Sequence, residues 1–199
     1  MLKRMLRLAA LLVICVSGVA SAAEASDPKS FVADMGSQAI HILQTQHDLG
    51  SRKAAFTKLF AADFDSATIG KFVLGRYWRT ATPDQQKQYI DVFSQYVVAL
   101  YANRFAGYSG EQFKVVSSRQ GDSGNAVVMS QIIPTDSRPP INIGWQVSGK
   151  DNTYRIVDVT VENLSLAVTK RDEFASVIQQ NNGSVQALID QLKQKVQES

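Results

Sequence analysis

The chain has 199 residues, 45% of them hydrophobic and 20% charged, a balance that excludes a disordered polymer and a polytopic membrane protein and fits one globular domain. Its net charge of +3 is borne by Lys3, Arg4 and Arg7, ahead of an apolar run, and residues 1 to 22 hold no acid. The rest is neutral, with 18 basic against 18 acidic residues, which removes the compositional case for a phosphate-tracking nucleic-acid groove.

Leu8 to Val16 is an unbroken apolar stretch of nine residues, shorter than the ~20 a membrane helix needs and suited to the core of a secretory signal. Ala20-Ser21-Ala22 supplies a small-x-small cleavage site, so the expectation is a signal peptide over 1–22 and a single domain over 23–199 in the periplasm. Cys15 falls within the apolar run and no small residues immediately precede it, as a lipoprotein signal would require. The mature chain is therefore expected to lack thiols, disulfides and cysteine metal sites.

From Asp27 to Gly107 the apolar period is helical. Phe31, Met35, Ala39, Ile42 and Leu43 form a first stripe, Arg52 to Ala62 a second segment, and Ser66 to Leu74 a third, capped by Asp65 and closed by Gly75. Thr82-Pro83-Asp84-Gln85 opens the longest helix as a capping box with proline in the first turn, and its inner stripe runs Tyr89, Phe93, Tyr96, Val97, Leu100, Tyr101, Phe105. After Gly107 the period becomes two. Strands are expected at about 111–120, 125–134, 140–148 and 153–161, broken by turn-forming residues. In the third, Ile141, Ile143, Trp145 and Val147 alternate with Asn142, Gly144, Gln146 and Ser148, which predicts one dry face. Thr169 and Asp172 read as a capping box for a further helix, Gly183 as its stop, and Ser184 opens an amphipathic last helix. The fold class is α+β: N-terminal helices, a four-stranded antiparallel meander, then C-terminal helices.

Catalytic and metal-binding signatures are absent. His41 and His47 lie six residues apart, about 120° around a helix, which does not converge as i, i+4 ligands do, and no metal site is expected. No phosphate-binding glycine loop, nucleophile elbow or H-E-x-x-H occurs. Asp158 beside Arg155 admits two readings, a general base in a cavity or a strand-end carboxylate paired with arginine, and the second is preferred because no other acid or oxyanion donor accompanies it. The aromatic and apolar residues from Phe64 to Phe105 are either solid core or the wall of a cavity, and composition does not separate the two.

Phe72 to Gln85, reading F-V-L-G-R-Y-W-R-T-A-T-P-D-Q, resembles the L-G-R-Y-W-R-x-A-T-P-x-Q signature of the MlaC family, the toluene-tolerance or lipid-asymmetry lipid-binding proteins. Phe64-Asp65, Asp158-Val159, Val161 to Leu166, Arg171 and Phe174 resemble its F-D, D-V-x-x-E-G-x-S-L and R-x-x-F patterns in the same order. Asn163 replaces the usual glycine, and asparagine tolerates the left-handed turn. Thr169 to Ile178 looks closer to the branch linked with hopanoid-lipid genes.

The resemblance implies a non-enzymatic carrier with an NTF2-like cone enclosing an apolar cavity. Its ligand would be phospholipid or a hopanoid-type lipid, with no other cofactor. Its partners would be an outer-membrane lipoprotein complex and the lipid-binding subunit of an inner-membrane ABC transporter. The expected lipid-binding residues are Phe72, Val73, Tyr77, Phe93, Val97 and Tyr101 on the helices, and Val127, Met129, Ile141, Ile143, Trp145 and Val147 on the sheet. Arg76 and Arg79 either meet a lipid phosphate or pair with Asp65, Asp84 or Glu162; the dense turn chemistry around them favours pairing. The competing functions are an enzyme using Asp158 and a non-binding structural envelope protein.

Overall fold

The computed structural model describes residues 27–150 and 153–199; the proposed signal and its cleavage site lie outside the described residues. The first three helices are set by aspartate caps. Asp27 accepts from Lys29 and Ser30 to start α1 (Pro28–Thr45), Asp48 from Ser51 to start α2 (Leu49–Asp63), and Asp65 from Thr68 to start α3 (Ser66–Leu74). Gly75, at φ +59°, ends α3 in a conformation that costs other residues strain. A 3-10 turn, Gly75–Arg79, leads into α4 (Pro83–Arg104), where Thr82 and Gln85 form the reciprocal capping box.

The sheet is an antiparallel meander, β1 (Gln112–Gln120), β2 (Ala126–Ile133), β3 (Ile141–Lys150) and β4 (Thr153–Val161), with neighbours in chain order. A fifth strand of two residues, β5 (Leu164–Ser165), joins β4 through Glu162 and Asn163, both at positive φ, and the sheet has five strands rather than four. Asn163, at φ +66°, takes the left-handed position expected of it.

Helix α5 (Leu166–Gln180) begins earlier than the sequence suggests. Ser165, not Thr169, caps it, accepting from Val168 N at 3.0 Å. The Thr169 hydroxyl instead donates to the Ser165 carbonyl. The α5 turn closes through Gly183, whose amide donates to the Ile178 carbonyl, and α6 (Val185–Gln197) follows under a Ser184 cap.

Two apolar layers result. On the helical side, Leu74, Tyr89, Phe93, Phe174, Ile178, Leu188, Ile189 and Leu192 are buried together, with Phe174 edge-on to both Tyr89 and Phe93 at 6.4 Å. On the sheet side, α1 lies across the dry face, and Val32 and Met35 pack with Val128, Val147 and Ile156. Helix α1 seats this closely because residue 36 is glycine: a Cβ there would fall 2.2 Å from Phe113 Cε1. Arg155 ties the layers together, donating to the Ala61 carbonyl at 2.8 Å and to the Ala62 carbonyl at the end of α2. It does not pair with Asp158. No helix among the described residues is long and apolar enough to cross a membrane.

Candidate functional site

The two layers meet imperfectly along α4. Successive turns of this helix face different neighbours: Tyr89 and Phe93 point into the helical core, Val98 and Ala102 join Phe56 and Phe60 of α2, and Tyr96, Val97, Leu100 and Tyr101 face β4 and α5. Between them lies a partly open cavity of about 80 Å³ with a wall almost wholly of carbon. Phe60 and Phe64 close one end, Ile69 and Val73 of α3 another, and Val159, Leu166 and Ala167 form the side opposite α4. The volume is below the ~300 Å³ at which ligand pockets usually begin, so anything larger than a few atoms enters only if the walls part. A larger depression of about 320 Å³ between α4 and α6 is lined by Val92 and Val196 together with Gln88, Asp91, Gln95, Lys193 and Gln197, a mixed wall that carries polar and charged ends.

Two charged residues reach the apolar cavity. Asp158 accepts from Ser165 Oγ at 2.6 Å, from Val159 N at 2.7 Å and from Ala167 N at 3.2 Å, so its carboxylate is occupied in holding the β4–β5 turn against the first turn of α5. Lys170 is half-buried, its Nζ 2.6 Å from Glu173 Oε2 and 3.4 Å from Tyr96 Oη. Burial works to lower its pKa, but the Glu173 and Tyr96 contacts outweigh burial and raise it, so the ammonium stays charged. Tyr101 is raised by burial and remains a neutral phenol. Among the described residues no group of three metal-ligating side chains stands together. His41 and His47 are both exposed, and His47 lies beyond the end of α1.

Of the twelve residues singled out in the sequence, Val73, Phe93, Val97 and Tyr101 converge on the cavity. Phe72 is on the outer side of α3, 43% exposed beneath the Arg171 guanidinium. Tyr77 packs against the helical core, its hydroxyl accepting from Arg76 at 2.9 Å. Ile143, Trp145 and Val147 do share the dry face, yet that face is covered by α1, and Ile141, farther along it, is 41% exposed. Val127 and Met129 were expected beside them and are not. The register pairs Val127 with Gln146 and Met129 with Gly144, so both point to the opposite face, and Ala126, Val128 and Ser130 take their place. Trp145 donates its indole N–H to Ser130 Oγ at 2.9 Å.

Arg76 and Arg79 are exposed, and neither makes an ion pair with Asp65, Asp84 or Glu162. Arg76 lies over the Tyr77 ring instead. Besides Asp158, the cavity takes in Phe60, Phe64, Ile69, Tyr96, Leu100, Val159, Leu166, Ala167 and Lys170, none of them among those twelve. Tyr96 and Leu100 were within reach, since each falls three residues beyond Phe93 or Val97 on the same helical stripe.

Fold and cavity define a class: an α+β protein with an apolar recess between a helical layer and a curled meander. Residues 34–194 match the family model described as MlaC protein, and the chain belongs to that family. It is similar to the intermembrane phospholipid transport system binding protein MlaC of Haemophilus influenzae, 20% identical over 128 residues that cover 63% of this chain and 59% of the relative. It is also similar to toluene tolerance protein ttg2D of Pseudomonas putida, 20% identical over 137 residues covering 68% and 63%. The matched stretch thus spans less than two thirds of either relative. Among solved structures it resembles the phospholipid-binding protein from Ralstonia solanacearum in complex with a phospholipid, with a TM-score of 0.73, 23% identity, and coverage of 86% of this chain and 98% of that one. That likeness shows the fold.

Proposed function

We propose that this protein is a periplasmic lipid carrier that takes a phospholipid or hopanoid-type lipid between an outer-membrane complex and an inner-membrane ABC transporter. The observation that carries the reading is the carbon-lined cavity under α4, with Val73, Phe93, Val97 and Tyr101 in its wall. Exposing a methylene to water costs about 0.8 kcal/mol, so a tail of ~15 methylenes costs about 12 kcal/mol to carry through water unsheltered. Membership of the MlaC family and the fold shared with a phospholipid-bound protein support the same reading. The cavity is narrow when empty, and a tail would widen it by parting the half-buried residues of α4 from Leu166 and Ala167. A diacyl lipid needs both tails out of water, so the opening must take more than one chain, and Ile143, Trp145 and Val147 would come into play only if α1 also shifted.

Native mass spectrometry of gently purified protein tests this. Co-purified lipid supports the carrier and gives its head group and tail number, whereas repeated absence of lipid from protein of native fold overturns it. The enzyme reading loses support because the three hydrogen bonds to Asp158 leave it fixed in a turn. Asp158→Asn should lower stability and leave lipid content unchanged.

A further inference from the structure

We infer that Lys170 and the Tyr96 hydroxyl form a subsite for the phosphodiester of the bound lipid, and that Glu173 occupies it until lipid arrives. The inference rests on the carrier reading and deepens it, because it chooses between the two lipid classes left open above. Lys170 is the one cation among the residues that line the cavity. The other charged lining residue, Asp158, has its oxygens engaged by Val159 N, Ser165 Oγ and Ala167 N. Lys170 is differently placed. Its side chain is 22% exposed, so it sits on the rim where an otherwise apolar wall reaches water. Its ammonium lies 5.7 Å from the Tyr96 ring centroid, and of its three donors one goes to Glu173 at 2.6 Å and one, at 3.4 Å, to the Tyr96 hydroxyl. Glu173 has a side chain 51% exposed, and it can turn to solvent at little cost.

A cation at the mouth of a hydrocarbon pocket, beside a hydroxyl and balanced by a movable carboxylate, matches an anion whose apolar body lies inside. A phosphodiester supplies that anion in every glycerophospholipid, whatever its outer head group. The subsite therefore discriminates for the phosphate and against uncharged lipids, while the remainder of the head group stays in water. An uncharged hopanoid would leave the Lys170–Glu173 pair in place and gain nothing from it.

The test uses the full-length mature protein stripped of lipid and loaded from vesicles of dioleoyl phosphatidylglycerol or of phosphatidylcholine doped with dioleoylglycerol. Lys170→Met should weaken retention of phosphatidylglycerol about tenfold, the loss of one charge-assisted hydrogen bond, and leave dioleoylglycerol unchanged. Lys170→Arg should restore most of the loss. Glu173→Gln removes the competing carboxylate and should strengthen retention of phosphatidylglycerol; its exposed position makes it the control should Lys170→Met fold poorly. Inorganic phosphate alone should not compete. Equal retention of both lipids by Lys170→Met and the parent overturns the subsite, as does competition by free phosphate as strong as that of the lipid. Failure of the parent to take up either lipid overturns the carrier reading itself.

Discussion

The dry face of the sheet and the seam under α4 are built from similar residues and end up differently. On the sheet, Val128, Val147 and Ile156 are 0 to 1% exposed because α1 lies on them with Val32 and Met35, and none of the three lines the cavity. Along α4, Tyr96, Val97, Leu100 and Tyr101 are only half-buried, because β4 and α5 approach without a helix to fill the gap. Apolar content is thus a poor guide to where a cavity lies. What decides is whether a covering element is available, and α1 is spent on the sheet.

Truncation on the two sides of α4 should break this contrast most strongly. Leu188, 1% exposed in the helical core, should cost about 2–5 kcal/mol as Leu188→Ala, measured by urea unfolding. Leu100→Ala, in the cavity wall, should cost about 1 kcal/mol or less, since its surroundings already include empty space, and should retain or raise lipid content. Equal costs would mean the seam is packed as tightly as the core. Gly36→Ala should come next. The added methyl meets the Phe113 ring, which is itself edge-on to Trp145 at 6.1 Å, so α1 must lift or the ring must move, at about 1–3 kcal/mol by the same measurement.

Two smaller effects sharpen the picture. The Tyr89 hydroxyl is buried without a hydrogen-bond partner, and burial pushes its pKa far up. Tyr89→Phe should therefore stabilise, by about 1 kcal/mol at most, seen as a raised Tm. Asp63 has one buried oxygen without a partner, and burial raises its pKa even though Arg155 opposes the rise. A raised pKa means the folded protein holds this proton more tightly than the unfolded chain does. Acidification through the raised value thus favours the fold, and at neutral pH the ionised form works against it. Asp63→Asn should raise the Tm at neutral pH, with the gain vanishing in acid near the ordinary carboxylate pKa.

Local chemistry made the elements legible. The Asp65 cap, the Gly75 stop and the Thr82–Gln85 box lie where the residues place them, and the alternation of β3 marks its dry side correctly. The start of α5 was missed because Thr169 and Asp172 imitate a capping box, while the true cap, Ser165, is itself the second residue of a two-residue strand too short for periodicity to reveal. Part of the cavity wall was legible for a similar reason, four of the twelve residues singled out lying in it. The α4 stripe and Val73 follow from helical spacing within one element. The sheet residues lie away from this cavity on non-local grounds: the parity of Val127 and Met129 depends on a register with β3, and the burial of Trp145 and Val147 depends on where α1 lands.

The cavity draws its walls from residues 60 to 101 and from residues 158 to 170, with β1, β2, β3 and the start of β4 between them in sequence. During synthesis, then, the chamber has no opposite side until residues 158 to 170 have emerged, because closing so long an intervening loop must precede any reward from the contact. A product ending before α5 lacks Leu166, Ala167 and Lys170, and with them most of the far wall of the chamber.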